Sequence, residues 1–252
     1  IQAFGHVGAL WGLAIAALAA LPLIGRVTGT ADPAPSATPA ASAPSPVPRG
    51  GALQAIREAM KDRSYLLLHA GFFTCGFHIA FLVTHLPGEV DLCGLPPTVA
   101  SSTLAIIGLA NVAGSLYAGA CVARYRSKYV LFWMYGSRAA LVALYLLAPK
   151  TAWTFYLFAA GLGFTWLATV PPTAAIVSKL FGIRHLATLF GMTLLSHQVG
   201  GFFGAWLGGV AVTRLGDYTW MWYADMALAA CAALVNPPIR EGRVARPVAQ
   251  PV

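Results

Sequence analysis

Long apolar stretches separated by short polar segments run along most of the chain. Stretches of about 20 apolar residues are long enough to cross the roughly 30 Å hydrocarbon layer of a membrane as a helix. Seven stretches meet this requirement, at residues 6–25, 64–86, 99–122, 129–148, 151–177, 186–213 and 217–236. They are rich in Leu, Ala and Gly, and they lack the alternation of apolar and polar positions that barrel strands show. The pattern therefore predicts an all-α, polytopic membrane helix bundle with about seven transmembrane helices.

The composition agrees with a membrane protein. Hydrophobic residues make up 58% of the chain and charged residues 10%, whereas a soluble domain carries roughly 25% charged residues. The formal net charge is +8, but the basic residues lie between the apolar stretches rather than in one patch, which argues against a nucleic-acid partner. We therefore expect the chain to be surrounded by a lipid bilayer.

Lys and Arg residues between the apolar stretches alternate in number. The loops after the first, third and fifth stretches, together with the tail, carry thirteen of them, whereas the loops after the other stretches carry only Lys150 and Arg214. Loop 87–98 has none and contains Glu89 and Asp91. Because loops rich in basic residues stay in the cytoplasm, this alternation predicts a cytoplasmic C-terminus.

The segment between the first and second stretches differs from the rest of the chain. Residues 27–50 are rich in Pro, Ala and Ser, a composition typical of a disordered tether, and residues 52–63 are expected to form a short cytoplasmic helix. We divide the chain into one helix, a cytoplasmic linker, a six-helix transmembrane unit and a cytoplasmic tail, at residues 1–26, 27–63, 64–238 and 239–252.

Two ionisable residues lie deep inside apolar stretches. Arg138 is about ten residues into its stretch and Asp225 about eight, or roughly 15 and 12 Å at the rise of an α-helix. A charge at that depth costs about 2.5–3.5 kcal/mol on insertion scales, so each residue needs a reason to be there. Two hypotheses remain open. The residues form a structural ion pair or share a polar network, or Arg138 is an anion site and Asp225 a proton-coupling carboxylate.

Other polar residues lie on single faces of the predicted helices. His78 is four residues after Thr74 and seven before His85, so the three share one face. We consider His78 a candidate for a substrate or proton role. Asn111 and Ser115 are four residues apart, and this polar stripe either lines a pathway or forms hydrogen bonds to another helix.

Two adjacent prolines interrupt the fifth predicted helix. Pro171 and Pro172 remove two backbone donors, so the helix must kink or break there. Interrupted helices point to binding sites in transporters, and Thr169, just before the prolines, is a candidate substrate or coupling residue. Because this break is nearer the predicted cytoplasmic end, we expect gating or a packing kink rather than direct binding.

The sixth predicted helix contains both a small-residue face and a polar site. Glycines four residues apart allow another helix to approach closely; these are Gly200, Gly204 and Gly208. His197 and Gln198 are candidates for lining a cavity.

A short loop resembles a motif of the major facilitator superfamily. That motif is a Gly followed by Asp-Arg-x-Gly-Arg-Arg/Lys, and Gly119, Arg124 and Lys128 match it. Ala123 and Arg126 replace its acidic residue and its second Gly. The copy is therefore degenerate.

A longer segment resembles one bacterial branch of that family, related to monocarboxylate carriers and oxalate/formate antiporters. The similarity runs from Pro171-Pro172 through Phe181-Gly182 to His197-Gln198. Monocarboxylate carriers place an Asp and an Arg where this chain has Asn111 and Ser115. Their handling of proton and carboxylate is therefore not implied for this helix.

The resemblance implies twelve spans in two six-helix halves, of which this chain holds spans six to twelve. The chain begins with Ile, and we expect that an N-terminal half is missing from it. The resemblance further implies a secondary transporter of the bacterial inner membrane. Its substrate would be a small organic anion such as a monocarboxylate, and its coupling ion a proton.

Motifs of other membrane-protein classes are missing from the sequence. It contains no GxxxxGK[ST] loop, no HExxH motif and no CxxC pair among its four cysteines, so we predict no ATP motor, no metal, no cofactor and no enzyme activity. All lysines lie at the ends of apolar stretches, which excludes a retinal Schiff base. Transport of a small solute is the leading hypothesis. A truncated carrier half without its own transport activity and a non-transport polytopic protein are the alternatives.

Overall fold

A computed structural model describes residues 51–242 and five positions nearer the N-terminus, Gly8, Trp11, Ala14, Ile15 and Leu18, which are helical. Most of the predicted first helix, the predicted tether at 27–50 and the tail from residue 243 lie outside the described residues. Two compact units divide the chain between Arg49 and Gly50. The second unit runs from Gly50 to Val252 and contains the helices between Ala52 and Val235.

The described part of the second unit is all-helical, as predicted. The helices are α1 Ala52–Ala59, α2 Arg63–Leu92, α3 Pro97–Arg124, α4 Ser127–Leu147, α5 Ala152–Thr165, α6 Val170–Phe181, α7 Leu186–Leu215 and α8 Thr219–Val235. Helix α2 continues six residues past its predicted end, through Pro87. Its last turns are held there because Leu86 and Val90 are buried in the apolar core.

Four helical stretches in the described residues are long and apolar enough to cross a membrane. They are α2, α3, α4 and the stretch Ala152–Phe181 that α5 and α6 form together. Helix α8 is apolar but has only 17 residues. Helix α7 has 30 residues, and the polar triplet Ser196–Gln198 lowers its hydropathy. The chain is therefore a multi-pass membrane protein, and length and composition alone support four of the six crossings predicted for this part.

The helices pack most extensively in three pairs, α2 with α7, α3 with α5, and α4 with α8. Glycines make the first pair very close. A Cβ atom on Gly76 would lie 1.8 Å from the carbonyl oxygen of His197, and one on Gly200 would lie 1.9 Å from that of Phe73. The backbones of α2 and α7 are thus in direct contact, which only residues without a side chain permit.

The two largest of three apolar clusters in the described residues lie one towards each end of the bundle. One contains Leu86, Tyr145 and Trp222, and the other contains Tyr65 and Leu189. On α4 and α8, the buried residues Arg138 and Asp225 come between the parts of the helix that enter these clusters, and on α2 the buried Thr74 and His78 lie where the two clusters meet. The structure thus has a polar layer within an apolar bundle.

Candidate functional site

The interruption between α5 and α6 lies just before two prolines. Pro171 and Pro172 belong to the first turn of α6, where a missing N–H group is tolerated. In a continuous helix their N–H groups would donate to the carbonyls of Leu167 and Ala168. Because prolines have no such groups, the regular helix ends at Thr165 and resumes after a short break at residues 166–169.

Arg138 of α4 binds the backbone at this break. Its Nη2 donates to the carbonyl oxygens of Thr165 at 2.6 Å and Trp166 at 3.2 Å. The side chain is completely buried. A cation is stabilised at the C-terminal end of a helix, where unpaired carbonyls concentrate negative charge. The guanidinium therefore compensates the end of α5.

Asn111 of α3 also binds the break. Its Oδ1 accepts a hydrogen bond from the N–H of Leu167 at 3.0 Å, and Ser115 donates to the same oxygen at 3.4 Å. The polar stripe on α3 thus contacts the interrupted helix. Asn111 thus makes a hydrogen bond beyond its own helix, whereas Ser115 bonds within α3. A role of either residue in lining a pathway stays a prediction.

A buried histidine–carboxylate pair joins α2 to α8. His78 Nδ1 lies 2.5 Å from Asp225 Oδ2, and both side chains are fully buried. His78 Nε2 and Asp225 Oδ1 have no hydrogen-bond partner among the described residues. The pair lies beside the break, since the rings of His78 and Trp166 are 6.2 Å apart.

Among the described residues, Arg138 and Asp225 form no direct ion pair, and a shared polar network was the other structural form of the hypothesis. Asp225 is paired with His78, and Arg138 donates its hydrogen bonds to the carbonyls of the break. The physical reason is that the broken helix leaves carbonyl groups without backbone donors close to α4. These carbonyls accept hydrogen bonds from the guanidinium. Arg138 and Asp225 instead contact α2 one helical turn apart, at Cys75 and His78.

Cys75 connects the two sites. Its Sγ accepts a hydrogen bond from Arg138 Nη1 at 3.6 Å and lies 3.5 Å from Thr169 Oγ1. Cys75 is not among the candidate residues named from the sequence, although its position three residues before His78 places both on one face of α2. We refer to Cys75, His78, Arg138, Thr169 and Asp225 as the polar core.

Two further candidates on α7 lie at the edge of the polar core. His197 is partly exposed. Its imidazole faces the Cys75 thiol, and the centroid of its ring lies 5.9 Å from the ring centroid of Phe72. Gln198 is exposed, and its Oε1 lies 3.3 Å from His197 Nδ1. The structure thus brings His197 to the polar core and leaves Gln198 outside it.

Comparison with known families identifies the chain. The family model of the Major Facilitator Superfamily matches residues 1–204 and 93–251. The chain belongs to the major facilitator superfamily. Members of this superfamily are membrane transporters, so the prediction of a transporter family rather than an enzyme is confirmed.

One curated relative of this superfamily protein is the uncharacterized MFS-type transporter YhjX of Escherichia coli (strain K12). The two sequences are 26% identical over 149 residues, which is 58% of this chain and 36% of the relative. The aligned part of the chain thus spans about a third of the length of the curated relative it matches.

This superfamily member has a second charged network at the end of the bundle where α2 and α4 begin and α6 and α8 end. Arg240 Nη2 lies 2.5 Å from Asp62 Oδ2, and Lys179 Nζ lies 3.0 Å from Glu241 Oε2. Glu241 Oε1 also accepts a hydrogen bond from the backbone N–H of Lys128 at 2.7 Å, in the first turn of α4. We refer to these five residues as the rim.

The rim includes one residue of the loop motif. Lys128 Nζ donates to the carbonyl oxygen of Pro237 at 2.7 Å, while Gly119 and Arg124 are exposed and lie outside the rim. Partial burial raises the pKa of Glu241, but hydrogen bonds from Lys128 and Lys179 outweigh it, so the pKa lies below the usual range. Glu241 was missed in the sequence because its partners are more than 60 residues away.

Proposed function

We propose that this superfamily member is a proton-coupled secondary transporter of a small organic anion, such as a monocarboxylate, and that His78 and Asp225 carry the coupling proton. The observation that supports the proposal most directly is their pairing at 2.5 Å with both side chains fully buried. Ionisable groups inside a membrane protein are costly and mark ion or proton pathways. Histidine can exchange a proton near neutral pH.

Charge balance connects the proton to the anion. With Asp225 ionised, His78 neutral and Arg138 charged, the polar core has no net charge. Protonation of His78 adds one positive charge in a region that is fully buried, where an uncompensated charge is unfavourable. A monoanionic substrate arriving with the proton restores neutrality. The coupled movement of one proton and one monoanion follows from this balance.

Asn111 and Ser115 also bear on the substrate. They replace the Asp and Arg that monocarboxylate carriers have on this helix, so α3 supplies no charge for binding an anion. Among the described residues, Arg138 is a fully buried cation in the middle of a span. It provides the positive field for the anion in this proposal. We place the rim in the cytoplasm and the protein in the inner membrane of a bacterium, as the distribution of basic loops predicts.

Proton flux into proteoliposomes tests the proposal. The full-length transporter is reconstituted with a pH-sensitive dye inside, and a panel of small carboxylates is added outside. We expect one or more of them to drive proton uptake in the unmodified protein, and Asp225→Asn to reduce this uptake by roughly tenfold or more. Asp91→Asn is the matched control, since Asp91 is an exposed carboxylate near the end of α2 and should leave the flux unchanged.

Three outcomes would contradict the proposal. Carboxylate-driven proton uptake that persists in Asp225→Asn would remove the His78–Asp225 pair from coupling. Carboxylate uptake without any proton movement in the unmodified protein would remove proton coupling itself. If no carboxylate of the panel moves, the proposed substrate class is wrong.

A further inference from the structure

We infer that Arg138 and Asn111 are positioning residues that hold the break between α5 and α6 in its unwound form, and that Arg138 acts through the break rather than as a direct ligand of the transported anion. Transport is needed for one of the two readouts below, so the inference rests in part on the proposed function. The other readout measures the break itself and does not depend on transport.

The hydrogen bonds of the break show what each residue replaces. In a continuous helix the carbonyls of Thr165 and Trp166 would accept from the N–H groups of Thr169 and Val170. Here both carbonyls accept from Arg138 Nη2, and the N–H of Val170 donates to Leu167 at 3.0 Å. Arg138 thus takes the place of two backbone donors.

Asn111 does the same for a backbone donor. The N–H of Leu167 would donate to the carbonyl of Gly163 in a continuous helix. That carbonyl is occupied by the N–H of Trp166 at 3.1 Å, and the N–H of Leu167 is turned to Asn111 Oδ1 at 3.0 Å. Donor and acceptor groups that the unwinding releases are therefore satisfied by side chains from α4 and α3.

The chemistry of a guanidinium suits this position. One nitrogen serves two neighbouring carbonyls, while the other nitrogen reaches Cys75 on α2. A lysine would keep the charge but lacks the planar fork that makes both contacts possible. Arg138 therefore connects the break to α2, the helix that carries His78. A second contact between the break and α2 is the one between the rings of Trp166 and His78.

These contacts give the break a role in transport. The position of Trp166 beside the proton-carrying pair depends on the two hydrogen bonds from Arg138. Loss of these bonds releases the break, so the polar core is assembled less often in each cycle. Turnover is then reduced, while the affinity for the solute, which Arg138 does not contact directly, is little changed.

Labelling of a cysteine at the break tests the inference without transport. Cys93, Cys121 and Cys231 are replaced by Ala, the buried Cys75 is kept, and Leu167→Cys is added, since Leu167 is 40% exposed. We expect Arg138→Gln and Asn111→Leu each to raise the rate of maleimide labelling at position 167 several-fold. Leu157→Cys, at an exposed position of α5 before the break, should label at the same rate in every background.

Conservative variants and transport kinetics give the second readout. We expect Arg138→Gln to lower turnover roughly tenfold with the KM for the solute little changed. Arg138→Lys should restore only part of this loss, and Asn111→Asp, which keeps the accepting oxygen, should label more slowly at 167 than Asn111→Leu. Ser137→Ala, which removes a half-buried hydroxyl next to Arg138, is the control and should change nothing.

The result that would overturn the inference is unchanged labelling at position 167 in an Arg138→Gln protein that elutes as a folded monodisperse species. A raised KM with normal turnover in Arg138→Lys would also overturn it, because that pattern identifies a direct ligand of the anion. Failure of proton coupling with the labelling effect intact would contradict the proposed function alone.

Discussion

The polar core and the rim both hold charged side chains, but the two regions differ in how much water reaches them. In each ion pair of the rim one partner is exposed: Lys179 and Arg240 are 41% and 65% exposed, while the carboxylates of Glu241 and Asp62 are 4% and 6% exposed. In the polar core, His78, Arg138 and Asp225 are completely buried. Exposed ion pairs contribute about 0–1 kcal/mol, whereas breaking a buried pair costs about 3–5 kcal/mol. Changes in the polar core should therefore have far larger effects than equal changes at the rim.

The largest effect is expected when the buried pair loses one partner. His78→Ala leaves the Asp225 carboxylate buried without its partner, and we expect a loss of about 3–5 kcal/mol of stability. Thermal unfolding of the purified transporter in detergent measures it. The double variant His78→Leu/Asp225→Leu removes both polar groups and should recover most of the stability without recovering proton uptake. A double variant as unstable as His78→Ala would show that packing, rather than the unpaired charge, causes the loss.

A smaller effect on stability is expected at Asp62, the residue of the rim that caps a helix. Asp62 Oδ1 accepts hydrogen bonds from the N–H groups of Ser64 at 2.8 Å and Tyr65 at 3.3 Å, so it caps α2. Loss of such a cap costs about 1 kcal/mol, and we expect Asp62→Ala to lower the unfolding free energy by that amount. Arg240→Ala removes only the exposed partner of Asp62 and should cost about 0.5 kcal/mol or less. Equal losses in both variants would mean that the ion pair, not the cap, stabilises this end.

The smallest effect is expected from the titration of Glu241. Its pKa is lower in the folded protein than in the unfolded chain, so its contribution to stability is present at neutral pH and is lost as the pH falls through the lowered value. We expect the midpoint of thermal unfolding to fall more steeply towards acid in the unmodified protein than in Glu241→Gln. Parallel curves from neutral pH to about pH 3 would show that Glu241 contributes nothing.

Some of the site could be predicted from the sequence because its chemistry is local. Proline lacks a backbone donor wherever it lies, so Pro171 and Pro172 place the break without any knowledge of the neighbouring helices. The depth of Arg138 and Asp225 follows from the length of the apolar stretches in the same way. Neither inference needs to know how a helix is rotated about its axis.

The partners of Arg138 and Asp225 could not be predicted, because they depend on how each helix is rotated about its axis. In this chain the helices are apolar on nearly every side, so the hydrophobic pattern does not show which face of α4 or α8 turns towards α2. Arg138 and Asp225 have opposite charges and similar depth, which favoured pairing them. The sequence contains no signal that the carbonyls of Thr165 and Trp166 would accept hydrogen bonds from the guanidinium, since the prolines mark a break but not which of its carbonyls lie close to α4.

The pairing of α2 with α8 also has a consequence for folding during synthesis. His78 and Asp225 are separated by 147 residues along the chain, and α8 is the last helix of the described part. During synthesis His78 enters the membrane while its partner has not yet been translated. The nascent chain must therefore carry an unpaired histidine until α8 is inserted. Release of the chain into the lipid as a stable bundle is thus tied to the arrival of α8.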